Sequence, residues 1–186
     1  SPYAVAKSTA FWMIANYREA YNLFACTGIL FNHESPFRPE RFVTKKIIKS
    51  ACRIASGNNE KLHLGNISIA RDWGSAEEYV EAMWLMLQQQ EPEDFVIATG
   101  ETNTLEGFVA AAFEAVGLDW REHVISDPSL LRPSEIMISR GNPDKALKKL
   151  AWRANRNMRD VISIITDAEL KLLNCSALKV KRLGGG

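Results

Sequence analysis

Short apolar runs, separated by amphipathic stretches of helical length, limit what this chain can fold into. "NLFACTGILFNH", "DFVIATG" and "EHVISDP" are brief, apolar and closed by polar, glycine or proline residues, as buried strands are. Between and around them the apolar positions change period. Val5, Phe11, Trp12, Ile14 and Ala15 recur at helical spacing, which predicts a helix from Tyr3 to about Ala20. "FVTKKIIKSACRIAS" is helical in period and stops at Gly57 and two asparagines. "KLHLGNISIARDWG" reads as strand and turn, and Ser75 is placed to cap a helix over "AEEYVEAMWLMLQQQ", whose acidic first turn suits the helix dipole. "TLEGFVAAAFEAVG" is a further helix, capped by Thr102 or Thr104 and closed by Gly117. "NPDKALKKLAW" and "NMRDVISIITDAELKLLN" are the last helical stretches, and "KVKRLGGG" reads as a frayed tail. Strands alternating with helices of this length predict an α/β fold with parallel pairing.

Composition excludes several classes. The 186 residues are 46% hydrophobic and 24% charged with a formal net charge of +1, values of a water-soluble globular chain with no polybasic character. Nucleic acid and membrane are therefore not expected partners, and no apolar run reaches the ~20 residues a spanning helix needs. Three widely spaced cysteines, Cys26, Cys52 and Cys175, form neither a disulfide framework nor a zinc cluster and fit a reducing cytoplasm. His63 and His123 have no second ligand nearby, so no metal site is expected. The five tryptophans fall mostly on apolar faces and read as core.

The residues able to carry chemistry are scattered. Tyr3 and Lys7 stand one helical turn apart in "SPYAVAK". A phenol of pKa ~10 exchanges protons at neutral pH only when a neighbouring cation stabilises its phenolate, and Lys7 supplies that charge. The pair suits proton transfer at a carbinol or carbonyl, although the same spacing also arises as a plain amphipathic pair. "FNHESPFRPERFVTKKI" follows a strand, where open α/β sheets bind ligands, and Asn32, His33, Arg38 and Lys46 offer donors and positive charge. A solvated loop closed by Asn32 and Ser35 is the alternative. In "RDWG", Arg71 either holds a phosphate or pairs with Asp72; in "LRPSEI", Arg132 and Glu135 either clamp a ligand or pair with each other. No glycine-rich strand-to-helix turn for a dinucleotide or a P-loop occurs anywhere in these residues.

In order and spacing, "SPYAVAK", "NHESP", "FVTKKI", "LGNISIARDWG", "YVEAMWLMLQQ", "RPSEI" and "LAWRA" together resemble the GDP-mannose 4,6-dehydratase family of extended short-chain dehydrogenases, across about residues 1–160. The fold this resemblance implies is α/β: the carboxyl-terminal part of an extended short-chain dehydrogenase, with late Rossmann strands and helices plus the substrate-binding domain. It places residues 1–35 in an NADP-binding Rossmann domain and 36–180 mainly in a GDP-sugar domain. About 75–100 would return to the Rossmann part, and 181–186 would be a disordered tail. Tyr3 is then the catalytic acid/base and Lys7 its cationic neighbour, contacting the nicotinamide ribose. His33 and Arg38 match cofactor-contacting positions, while Asn32, Val43, Lys46, Arg71, Arg132 and Glu135 match GDP-sugar contacts. The implied activity converts GDP-mannose to GDP-4-dehydro-6-deoxy-mannose and water, by transient hydride transfer to NADP, in a cytoplasmic homo-oligomer (dimer or tetramer when full length). The family's glycine-rich turn and its catalytic threonine and glutamate precede the tyrosine, so the chain alone is expected to be inactive. Phe37 stands where an arginine is usual, Pro39 near a usual glycine, and Ala151 where a helix-ending glycine is usual. The alternatives are a non-catalytic nucleotide-sugar-binding or assembly module, and a related GDP-sugar reductase or epimerase.

Overall fold

A computed structural model describes residues 1–131 and 134–183, with side chains described up to 175. The first helix, α1 (Pro2–Tyr21), starts where Ser1 Oγ accepts the Ala4 N–H and Pro2 fills the first turn, and it ends at Asn22 in the left-handed region. No residue of α1 is buried. Its tether is an ion pair from Arg18 to Asp94 at 2.5 Å, with Asp94 also accepting the Thr27 N–H.

Strand β1 (Gly28–Leu30) runs parallel to β6 (Phe95–Ile97). Phe31 still donates to Ile97 O at 3.0 Å, and at the next residue the chain changes partner: β2 (Asn32–Glu34) runs parallel to β5 (Trp73–Ser75). The single strand expected across "NLFACTGILFNH" is therefore two short ones, and Leu23 and Phe24 lie outside both, exposed. A third parallel pair joins β3 (Leu62–Leu64) to β8 (Val124–Ser126), and an antiparallel pair joins β4 (Ala70–Arg71) to β7 (Asn103–Thr104).

The expected helices form as α2 (Val43–Ala55), α3 (Ala76–Met86), α4 (Leu105–Glu114), α5 (Asp144–Leu150) and α6 (Met158–Leu183). Thr104 caps α4 by accepting the Gly107 N–H. Ser75 stands at the head of α3 but does not cap it; its Oγ accepts instead from Arg156, which also pairs with Glu77. Helix α6 opens on a reciprocal cap: Asn157 Oδ1 accepts from the Arg159 and Asp160 amides while Asp160 accepts from Asn157 N. It continues to Leu183, into the stretch expected to fray, and 184–186 lie outside the described residues.

Two hydrophobic cores result. The larger joins Ile47, Ile48 and Ala51 of α2 to Phe108, Val109 and Phe113 of α4 and Val161, Ile162 and Ile165 of α6, with Trp73 on Phe108 at 5.1 Å between ring centres. The smaller gathers Tyr79, Ala82 and Met86 of α3, Phe95 and Ile97 of β6, and Ala146, Leu150 and Trp152 around α5. Of the tryptophans expected inside, Trp73 and Trp152 are buried and Trp120 half-buried, but Trp12 and Trp84 are 68% and 60% exposed. The reason is that α3 is apolar on two faces. Tyr79, Ala82 and Met86 turn inward, whereas Val80, Met83, Trp84 and Leu87 form a second stripe that no described residue buries.

Replacing Phe108 by alanine is expected to cost about 3–5 kcal/mol in chemical denaturation, because it empties the contact under Trp73. Trp12→Ala on the open helix should change stability by less than about 0.5 kcal/mol.

Candidate functional site

The start of α1 brings the sequence-predicted pair together. Lys7 Nζ lies 5.7 Å from the centre of the Tyr3 ring, as one helical turn requires. Both side chains are exposed, Tyr3 by 72%, and a groove of about 500 Å³ begins at Ser8 and follows the helix past Trp12 and Tyr17. An ammonium beside a phenol, with no carboxylate paired to the ammonium among the described residues, can donate to a ligand hydroxyl.

The next group sits on β2 and the loop after it. Asn32 opens the strand with a half-buried side chain. His33 donates from Nδ1 to Phe31 O at 2.9 Å, which leaves Nε2 as the outward ring nitrogen, and its ring lies 5.5 Å from that of Tyr79. Tyr79 is itself held close: a Cβ at Gly74 would stand 2.5 Å from its ring, so glycine is required there. Glu34 is buried, and burial drives its carboxyl above the ordinary 4.5, with Arg38 at 3.3 Å and Thr44 pulling the other way. Arg38 is thereby turned inward, its guanidinium 3.7 Å from the centre of the Phe42 ring.

A third group lies around the start of α2 and the ends of β3, β4 and β8. Val43 is the first residue of α2 and is exposed. Lys46 donates to His63 O at 2.8 Å, and His63 Nδ1 is 3.7 Å from Asp127. Arg71 donates to Ala70 O at 2.8 Å and reaches Met137 O, so the pairing with Asp72 left open by the sequence does not form. The segment at 137–139 runs alongside Ala70, through Ala70 N–H to Met137 O and Ser139 N–H to Ala70 O, and this carries the half-buried Glu135 toward the same edge. Arg132 lies outside the described residues.

Asp72 has a different task. It is fully buried and accepts the Thr99 N–H and hydroxyl and the Gly100 N–H, tying β5 to the turn after β6. Burial first, and then the Asp72 charge, push the Tyr79 phenol far up, so it stays protonated. Asp72 and Tyr79 thus back His33 from behind, a role that "RDWG" and "EEYV" do not signal, since burial of an acid has no local signature. Among the described residues no group of three or more metal-ligating acids, histidines and cysteines comes together.

Glu34 in the folded chain should take up its proton at a pH above 4.5. Because the folded value is raised, this group adds stability as pH falls from its folded midpoint toward 4.5. Carboxyl carbon NMR of Glu34 measures the midpoint, and the Phe42 ring signals will report the loosening of Arg38 at the same pH.

With this geometry in place, comparison with known proteins is direct. The family model described as GDP-mannose 4,6 dehydratase matches residues 1–165. GDP-mannose 4,6 dehydratase 1 of Arabidopsis thaliana is 49% identical over 172 residues, covering 92% of this chain and 48% of that protein. The Homo sapiens GDP-mannose 4,6 dehydratase is 44% identical over 190 residues, covering 93% and 51%. The chain therefore spans about half the length of the curated relatives it matches. Among solved structures, RMD from Pseudomonas aeruginosa complexed with NADPH superposes with a TM-score of 0.84 at 17% identity, over 92% of this chain and 57% of that one. UDP-glucose 4-epimerase of Thermotoga maritima with UDP-glucose gives 0.81 at 21%, over 93% and 54%. At these identities the structural likeness establishes the fold: that of the extended short-chain dehydrogenases, as the family resemblance implied.

Proposed function

The chain belongs to the GDP-mannose 4,6-dehydratase family, and from that premise we propose that it carries the proton-transfer pair and the sugar-nucleotide contacts of a dehydratase acting on GDP-mannose. The observation that carries the reading is Lys7 Nζ poised 5.7 Å from the Tyr3 ring at the head of a helix inside the matched residues.

The proposed division of labour follows the two cores. Residues 1–35, with about 75–100, belong to the Rossmann part, and the clustering of α3 and β6 supports this; α5 and Trp152 join the same core. Most of 36–180 forms the GDP-sugar part around α2, α4 and α6. The residues present fit the ribose end of a nicotinamide dinucleotide, through the exposed Lys7 ammonium and the Tyr3 hydroxyl, whereas no glycine-rich turn to cradle a pyrophosphate lies within the chain. Bound NADP would supply a reversible hydride acceptor. Tyr3 Oη would accept the proton of the sugar C4 hydroxyl as that carbon is oxidised, ahead of water loss across C5 and C6, and Lys7 would keep the phenolate accessible. His33, with Nδ1 held by Phe31 O, would offer Nε2 to the cofactor, and Arg38 would act there from its seat on Phe42. Lys46 and Arg71 would meet the diphosphate, with Asn32, Val43, Arg132 and Glu135 completing the substrate contacts. We assign the chain to the cytoplasm and to a homo-oligomer on the unpaired state of its cysteines and the apolar exposure of α1; no described helix is long and apolar enough to cross a membrane.

One observation favours the second reading, a non-catalytic nucleotide-sugar-binding or assembly module: the catalytic pair stands on a helix that buries no residue. Binding and product analysis separate the readings. GDP at 100 times its dissociation constant adds about 2.7 kcal/mol, which raises the midpoint of a chain this size by roughly 5–10 °C. UDP and NADP should do little. Lys46→Met should weaken GDP roughly ten- to a hundredfold, the loss of a charge-assisted contact worth about 1.5–3 kcal/mol. No thermal response to any guanine nucleotide would defeat the dehydratase reading and leave only an assembly role. If GDP binds, water loss, reduction or epimerisation of GDP-mannose with added NADP, abolished by Tyr3→Phe, assigns an enzyme, whereas no turnover by this chain alone is expected under either reading.

A further inference from the structure

Residues 35–42 are held at both ends by charged pairs taken out of water. At one end Glu34 pairs with Arg38, and Arg38 lies flat over Phe42. At the other, Lys45 in the first turn of α2 donates to Pro36 O at 2.8 Å and pairs with Glu169 of α6, the two side chains only 6% and 8% exposed. Replacing a buried ion pair by apolar side chains of equal volume is often neutral or stabilising, so stability does not account for these charges. Direction does. An ammonium excluded from water is satisfied only where its acceptors converge, and here they come from the loop and from a helix more than a hundred residues away. Within the loop the hydrogen bonds are local, Phe37 N–H to Ser35 Oγ, Arg38 N–H to Ser35 O and Phe42 N–H to Pro39 O, and its other tether, Glu40 to Lys49 and Arg53, is exposed to water.

We propose that Lys45 and Glu169 are positioning residues, which fix residues 35–42 and the first turn of α2 through the Pro36 carbonyl and so let α6 set the geometry of the nucleotide site. The link to the nucleotide rests on the reading of Val43 and Lys46 as GDP-sugar contacts; the link to the loop does not. A pair that merely docks α6 would affect stability and nothing else.

The test is the double variant Lys45→Met with Glu169→Leu, which removes both charges at similar volume. It should fold with an unchanged or higher midpoint, while hydrogen exchange at the Phe37, Arg38 and Phe42 amides quickens about tenfold or more and GDP affinity falls about fivefold or more. Lys45→Arg, which keeps the charge and both acceptors, should restore loop exchange and affinity. Should the double variant fail to fold, Lys45→Met with Glu169→Gln, which likewise removes both charges and leaves no buried charge unpaired, is read in the same way. A folded variant with exchange at 37–42 as in the parent overturns the proposal. If the parent itself binds no GDP, the functional reading falls and loop exchange alone decides.

Discussion

The change of strand partner at Phe31 is the constraint on which the rest of the structure depends. Up to Phe31 the backbone is bonded to β6, and from Asn32 it is bonded to β5, whose Trp73 enters the larger core while His33 still lies against Tyr79 of the smaller one. Parallel pairs need their neighbours on both faces covered, and here α3 and α5 pack against β6 while α3 and α6 pack against β5, so α3 spans both pairs. Asn32, His33 and Glu34 are the first three residues after the change, so the same step that joins the cores also points these side chains. Asp72 secures it from the other side, binding the turn after β6 while its own chain neighbour Trp73 pairs with Asn32.

Much of this was legible in the residues. Every helical stretch formed, because periods such as Ile47, Ile48, Ala51 and Cys52 leave one face to bury, and three of the strands expected from apolar runs paired in parallel. The family and the Tyr3–Lys7 spacing were legible as well, since both are local patterns. What could not be read was anything decided by a distant partner. Ser75 had every local reason to cap α3, but Arg156 arrives from far along the chain and takes its hydroxyl. Arg71 and Asp72 are adjacent in sequence, yet each found partners elsewhere, Arg71 at Ala70 O and Met137 O and Asp72 at Thr99 and Gly100. Trp12 and Trp84 carry apolar patterns that mark a face for burial without saying what buries it.

The electrostatics divide along the same line. Exposed pairs such as Arg159–Glu114 are screened and contribute little, typically about 0–1 kcal/mol. The interior pairs Glu34–Arg38 and Lys45–Glu169 are costly to break singly, since an orphaned buried charge costs about 3–5 kcal/mol, yet add little net stability when intact. Charges of that kind sharpen a geometry more than they deepen a well. They cluster where α2 begins, beside Val43 and Lys46, and the apolar remainder of α2 holds that end still by sinking Ile47, Ile48 and Ala51 into the larger core.

Rigidity is therefore unequally distributed over the proposed site. The proposed sugar-nucleotide positions stand on α2, which sinks one face into the larger core, and on β2 and β4, each hydrogen-bonded to a neighbouring strand, and binding could be expressed from such a frame. The proton-transfer pair stands on α1, held through Arg18 and Asp94 with no residue buried. A tyrosine acid/base must meet its substrate oxygen within hydrogen-bond reach, about 2.6–3.2 Å, and to a tolerance of roughly half an ångström. One half-exposed ion pair and a helix whose apolar side meets water cannot impose that tolerance. On the proposed reading, binding and chemistry are consequently separable in this chain: the proposed nucleotide contacts lie beside its packed core, and proton transfer by Tyr3 would become effective only to the extent that further contacts immobilise α1.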